Sequence, residues 1–353
     1  MLVTGAAGTV GHYAISLAEA AGLRVRATDL TTTGVQQPVR GEVIACDLRD
    51  ASRMPELVAG CDYVIHTAAL LDVGASVDAL RTVNTEVVAQ LHEAASAAGV
   101  TRFVHISTAM VYAAGQPAGA LDETTETWPR GPHSQSKLAA EARLRNAPEG
   151  SASCTILRAA PLYGRRGRHF ASALLAVGPV MRLSTPVLPR PAGGPVATLV
   201  HAEDVARAAV FVLDQDEAAG ETYNVADEDA LALGDRVSET LQAYGLPMVP
   251  TGELPRPVLD RVAKLFVKRG AYQAADRAAL MAWRLVVARH GLKSALRVRL
   301  DKEALSLLYD DLVLDTKKLR ALGWEPRYPR FREGWQQVLR WYQAERWVPR
   351  YGR

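Results

Sequence analysis

Met1-Leu2-Val3 runs directly into Thr4-Gly5-Ala6-Ala7-Gly8-Thr9-Val10-Gly11, and an alanine-rich stretch with helical spacing follows. An apolar strand, spaced glycines and a helix, in that order, make a site for a pyrophosphate. Gly5, Gly8 and Gly11 let the backbone turn tightly and approach the phosphates, and the helix start offers unpaired N–H groups at the positive end of its dipole. Leu23-Arg24-Val25-Arg26-Ala27-Thr28 reads as a second strand with Asp29 at its end, about 18 residues beyond Gly11. A carboxylate there accepts both hydroxyls of an adenosine ribose and repels a 2′-phosphate, so the pattern predicts NAD in preference to NADP. Glycine spacing by itself also fits an ordinary turn before a core helix; the flanking strand and the placed acid favour the dinucleotide.

Further apolar runs at Glu42 to Cys46, Tyr63 to His66, Phe103 to Ile106 and Cys154 to Leu157 alternate with helical patterns such as Val83 to Ala98, which ends at Gly99. Alternation of this kind predicts an α/β fold with a parallel sheet covered on both faces. The Pro/Gly-rich stretch from Pro186 to Pro195 excludes a regular helix and reads as a loop where the chain leaves the nucleotide domain. A net charge of +3 over 353 residues is too small to argue for nucleic acid. Cys46, Cys61 and Cys154 are scattered and odd in number, with no CxxC and no His-Cys cluster, so neither a disulfide framework nor a metal site is expected. The cytoplasm is the expected compartment. The chain starts inside its first strand, with no charged-then-apolar leader, and no apolar run reaches the roughly 18 residues of a membrane span.

The glycine loop at 4–11 is followed by Asp47-Leu48, His66-Thr67-Ala68-Ala69, Asn84 in Val83-Asn84-Thr85, and Ile106-Ser107-Thr108-Ala109-Met110-Val111-Tyr112. Leu157-Arg158-Ala159-Ala160-Pro161-Leu162-Tyr163-Gly164 and Leu199-Val200-His201-Ala202-Glu203-Asp204-Val205-Ala206 come later. In this order the markers resemble the extended short-chain dehydrogenase/reductase family, which includes sugar-nucleotide epimerases and dehydratases, 3β-hydroxysteroid dehydrogenases and dihydroflavonol-type reductases. The resemblance covers nearly the whole chain. It implies a Rossmann-type domain over residues 1–180, with a return segment near 196–226, interleaved with a smaller substrate-binding lobe over most of 181–353. For NAD it implies Gly5, Ala7, Gly8, Thr9, Val10 and Gly11 at the phosphates, Asp29 and Leu30 at the ribose, and Asp47 and Leu48 near the adenine. Thr67, Ala68, Ala69, Asn84, Ile106, Lys137, Ala160 and Pro161 would line the rest. A small-molecule substrate and a homodimer are further implications.

One position departs from the family pattern of a Ser/Thr followed by Tyr-x-x-x-Lys. Thr108 matches the first and Lys137 the last, but Pro132-His133-Ser134-Gln135-Ser136-Lys137 carries His133 where the tyrosine belongs. Pro132 and Ser136-Lys137 hold the register. A tyrosine, with a free pKa near ~10, needs the lysine cation to become a phenolate near neutrality. Histidine, at about 6.5, needs no such help, and a cation one turn away favours its neutral form. Three readings follow. His133 replaces the tyrosine as acid/base, with Thr108 bonding the substrate oxygen and Lys137 the nicotinamide ribose. Alternatively, protons come from water, from the substrate, or from Asp72, Tyr112 or Tyr163. In the third reading the protein is a noncatalytic NAD-binding sensor or scaffold.

The expected reaction interconverts a secondary alcohol and a ketone on a small or polycyclic metabolite, with an NAD-dependent sugar-nucleotide epimerase or dehydratase as the alternative. Candidate substrate contacts are Asp72, Thr108, Ala109, His133, Tyr163, Arg165 and Arg168. The arginines suit a phosphate or carboxylate, or are simply solvated. Tyr272, Met281 and Trp283 suit an apolar ring compound or ordinary core packing. The basic helical region from Arg256 to Arg299 reads first as solvated surface, and as a face for an anionic membrane in the less favoured reading. Leu319, Leu322 and Trp324 read as core residues, ahead of a helix around Phe331 to Tyr342.

Overall fold

Short, fully buried apolar segments such as Leu2-Val3-Thr4 satisfy their backbone only by pairing on both sides, and they do so in one parallel sheet. The computed structural model describes residues 1–35, 41–71, 74–112, 119–167, 170–267, 269–296, 298–300 and 303–351. The sheet contains β1 (Leu2–Thr4), β2 (Arg26–Asp29), β3 (Glu42–Ala45), β4 (Tyr63–His66), β5 (Arg102–Thr108), β6 (Ser153–Ala159) and a seventh strand, Thr222–Val225. Their spatial order is seventh-β6-β5-β4-β1-β2-β3, so the chain reverses direction across the sheet between β1 and β4. A crevice opens at the carboxyl ends of the strands at such a reversal, and here it is walled by the ends of β1 and β4. This is a Rossmann-type α/β fold.

Small residues set how closely the helices lie. Gly11–Ala20 buries Gly11, Ala14 and Ala18, and Ala202–Phe211 buries Ala202, Ala206 and Ala209, so the two helices pack together on one face. On the other face, Val87–Ala97 and Pro132–Arg145 cover β4 to β6. The second of these is tied down by a fully buried carboxylate. Glu141 accepts from Ser107 Oγ at 2.5 Å, from Arg158 Nη2 at 2.8 Å and from Arg145 Nη2 at 2.8 Å, joining the helix to β5 and β6. Removing one side of such a pair costs about 3–5 kcal/mol.

Two segments differ from their sequence reading. Leu188–Ala192, inside the proline-rich stretch, is a strand paired in parallel with Met248–Glu253. A two-stranded ribbon needs hydrogen bonds on only one edge of each strand, so Pro189 and Pro191 are tolerated where a central strand would reject them. Thr82–Glu86 forms a π-helical turn ahead of Val87–Ala97, while Gly99, at φ +77°, ends that helix as expected. A second apolar core gathers Leu175, Trp283, Phe331, Trp335 and Tyr342. Leu319 and Trp324 are buried in the first core, and Leu322 packs against it. Among the described residues no helix is long and apolar enough to cross a membrane.

His66 and His105, side by side on β4 and β5, are fully buried and stack with ring centroids 5.8 Å apart. Burial, aided by the Lys137 charge, pushes His66 down to about 3 and His105 well below its ordinary value. A depressed folded-state value means the unfolded chain takes protons that the native state refuses as pH falls through about 6.5. Neither ring nitrogen of His105 has a hydrogen-bond partner among the described residues. In denaturant titrations, His105→Phe is therefore expected to gain about 2 kcal/mol on the unmutated protein between about pH 7 and pH 5. A difference independent of pH would contradict the neutral, buried assignment.

Candidate active site

The glycine loop fits against the sheet with no room for side chains. Gly5 is at φ +66°, and a Cβ there would lie 2.7 Å from Ala68 N; one on Gly11 would lie 2.1 Å from Gly5 O. Thr67 Oγ1 donates to Thr4 O at 2.7 Å, and Thr4 Oγ1 lies 2.8 Å from His66 Nδ1, which locks the ends of β1 and β4 together. Asp29, at the end of β2, accepts from Ala7 N at 2.9 Å and from Leu30 N at 2.8 Å, so one carboxylate fixes the loop and stands beside it. Asp47, just beyond β3, is held below the usual carboxylate range by its hydrogen bonds with Arg49. Leu30 is exposed, and Leu48 packs on the apolar cluster around Met54 and Leu57.

A cavity of about 310 Å³ opens where these strand ends meet the C-terminal residues. Gly8, Thr9, Val10, Thr67, Ala69, Ile106, Ala160 and Pro161 line one side, and Leu71, Met110, Leu162, Phe170 and Leu307 add apolar wall. Thr108, His133 and Lys137 all reach it. Thr108 Oγ1 accepts from Met110 N at 3.2 Å, which leaves its own proton for donation. Lys137 is buried and donates through Nζ to Ile106 O at 2.7 Å. Burial pulls its pKa down to about 8 against the opposing Glu141 charge, so it remains a cation at neutral pH.

His133 stands on the first turn of the Pro132–Arg145 helix, which proline starts at no cost in hydrogen bonds. Gly131, the residue before the helix, has no side chain to cap it. A carboxylate from far along the chain does so instead: Glu303 Oε1 accepts from His133 N at 2.7 Å, and Oε2 accepts from Ser134 N at 3.2 Å. Glu303 also lines the cavity. Sequence reasoning placed only the Lys137 cation near the imidazole, and the fold adds an anion.

Other expected site residues lie elsewhere. Asn84, in the π turn, accepts from Leu70 N at 2.7 Å and donates to Leu70 O and Ser136 Oγ, both at 3.0 Å; it braces the loop after β4 against the His133 helix. Ala68 and Ala109 are not among the cavity walls; Ala68 backs Gly5, and Ala109 is fully buried. Tyr163 is buried and donates to Asp227 Oδ2 at 2.8 Å, and Tyr112 donates to Asn224 Oδ1 at 2.8 Å; neither lines the cavity. Arg165 is also absent from the walls, and its charge acts on His12, Tyr13 and His201. Tyr272 and Trp283 are core residues, the latter donating to Leu296 O at 3.1 Å, while Met281 is exposed. Asp72 and Arg168 lie outside the described residues.

Residues 1–226 match the model of the NAD dependent epimerase/dehydratase family. The chain belongs to that family. The 3 beta-hydroxysteroid dehydrogenase/Delta 5-->4-isomerase of Mycobacterium tuberculosis is 28% identical to this family member over 342 residues, 93% of this chain and 86% of that protein. A 3-diazoavenalumate denitrifying reductase from Streptomyces sp is 26% identical over 345 residues, 95% of this chain and 98% of that protein. Among solved structures, the UDP-glucose 4-epimerase of Thermus thermophilus in complex with NAD superposes with a TM-score of 0.69 at 22% identity, covering 97% of this chain and 98% of that one. The chain is thus an NAD-dependent enzyme of the epimerase/dehydratase family.

The residues present fit the cofactor. The loop is bare of side chains at Gly5 and Gly11, the helix starting at Gly11 has no side-chain cap, and Asp29 presents a carboxylate at the end of β2. The loop would hold the pyrophosphate and Asp29 the adenosine ribose. In titration calorimetry the unmutated protein is expected to bind NAD more tightly than NADP, and Asp29→Ala to weaken NAD about tenfold and narrow the gap. Equal affinity for both coenzymes in the unmutated protein would contradict the assignment.

Proposed function

We propose that this protein is an NAD-dependent oxidoreductase that interconverts a secondary alcohol and a ketone on an apolar, small or polycyclic metabolite, with His133 exchanging the proton. The observation that carries this reading is the meeting of Thr108, His133 and Lys137 with the glycine loop in one cavity whose remaining walls are mostly apolar. Bound NAD supplies the hydride acceptor in one direction and the donor in the other. Thr108 donates its hydroxyl proton to the substrate oxygen and so holds the reacting carbon in place. His133 takes the alcohol proton during oxidation and returns it to the carbonyl oxygen during reduction. Lys137, anchored on Ile106 O, keeps its remaining N–H groups for the nicotinamide ribose.

Two observations favour His133 over the other proton carriers and an apolar compound over a sugar nucleotide. Tyr112 and Tyr163 are buried and engaged with Asn224 and Asp227. Arg165, a candidate partner for a substrate phosphate, is not among the cavity walls, and its charge acts on Tyr13 and His201. The steroid dehydrogenase among the relatives points to alicyclic alcohols as the first compounds to try.

The test is a panel of alicyclic and aromatic alcohols with NAD, and the matching ketones with NADH, followed by nicotinamide absorbance. At least one pair should turn over, with His133→Phe lowering kcat by about 10²-fold or more and His133→Tyr retaining part of it. Undiminished turnover in His133→Phe would remove His133 from the proton path.

A further inference from the structure

We propose that Glu303 is a positioning residue for His133, a carboxylate from the C-terminal part of the chain that selects the ring's tautomer and faces the imidazolium formed when the ring takes a proton. The proposal rests on the reading of His133 as the acid/base.

The carboxylate is fixed before it meets the ring. Its oxygens accept from His133 N at 2.7 Å and from Ser134 N at 3.2 and 3.4 Å, so two backbone donors on one helical turn set its place. From there Oε2 lies 3.9 Å from His133 Nδ1, with both side chains largely buried at 16% and 14% exposure. That separation is too long for a hydrogen bond and short enough for strong charge interaction at a site shielded from water. Catalytic hydrogen bonds are often long without ligand and tighten when the site closes. An acceptor at Nδ1 favours the tautomer with the proton on that nitrogen. Nε2 is then the basic atom for the substrate, by the same logic that lets a second carboxylate orient a catalytic histidine elsewhere.

Gly131 shows that the approach is close. A Cβ on that residue would lie 2.2 Å from the Glu303 carboxyl carbon, although at φ −112° any residue could adopt the backbone conformation. Serine or aspartate would be the ordinary choice before a helix. Glycine leaves the space for a carboxylate that both caps the helix and reaches the imidazole. Among the described residues, Lys137 and Glu303 are the charged groups that share the cavity walls with His133, and the Arg130–Asp310 pair at 2.8 Å ties the preceding loop to the residues after the Ala304–Leu308 turn; Glu141, Arg143 and Arg145 lie further along the His133 helix. β5 contributes the uncharged Thr108.

The test is ¹⁵N NMR of the histidine side chains in the full-length, NAD-loaded protein, with His133 assigned by the signal missing in His133→Phe. Glu303→Gln removes the charge while its amide oxygen still accepts from the helix, so the fold is kept. Gly131→Ala displaces the carboxylate without removing it. The unmutated protein should show His133 protonated on Nδ1, with a titration midpoint that falls by at least about 1 pH unit in Glu303→Gln and by less in Gly131→Ala. On any ketone the protein reduces, Glu303→Gln should cost about tenfold in kcat, and nothing further when added to His133→Phe. An unchanged midpoint and tautomer in both variants overturns the proposal whatever the activity. A shifted midpoint together with full turnover in His133→Phe would leave Glu303 governing the ring and refute the acid/base reading alone.

Discussion

The backbone of the glycine loop lies directly on the end of β4, and the rest of the site is arranged around that contact. Gly5 and Gly11 have no space for a Cβ, Thr67 and Thr4 bond across the junction, and Asp29 ties the loop to β2. With β1, β2 and β4 fixed in this way, the carboxyl ends of the strands form one rim. The cavity follows from that rim. Thr108 arrives from a strand end, His133 and Lys137 from the first two turns of one helix, and Glu303 from the residue before the Ala304–Leu308 turn.

The His133 helix is held from several sides. Glu141 anchors its body to β5 and β6 through Ser107 and Arg158, Asn84 and Thr85 brace it at Ser136, and Glu303 caps its start. Such anchoring suits a side chain that must meet a substrate oxygen within a few tenths of an ångström. It also gives the exchange of tyrosine for histidine a physical sense. A phenol depends on the nearby ammonium to lose its proton, and burial pulls the Lys137 ammonium down to a pKa of about 8, so that help fades as the pH rises through that value. An imidazole does not have that dependence, and it can be served by an anion instead.

Much of this was legible in the chain. The loop at residues 4–11, Asp29 and Thr108 are local motifs at strand ends, where such sites form at a chain reversal, and Lys137 follows His133 at a fixed spacing on one helix. Glu303 was not legible, because its role comes from a contact with residues 133 and 134, about 170 positions away, and no periodicity marks it. Tyr163 and Arg165 are the opposite case, close to the site in sequence and not among the cavity walls. Their motif places them next to the site in sequence, but the Leu162–Tyr163 strand pairs with Val200–His201 and buries Tyr163 against Asp227. The proline-rich segment read as loop because proline is hostile to sheets in general, and a two-stranded ribbon is the exception.

The central claim is spatial: the nicotinamide end of NAD and the proton-carrying ring share one cavity. A crystal structure of the NADH complex tests it most directly. The account predicts the dihydronicotinamide within the walls formed by Thr108, His133 and Phe170, with its ribose hydroxyls at Lys137 Nζ. A nicotinamide bound outside those walls, with the His133 ring beyond reach of any substrate oxygen placed at its hydride-bearing carbon, would contradict it.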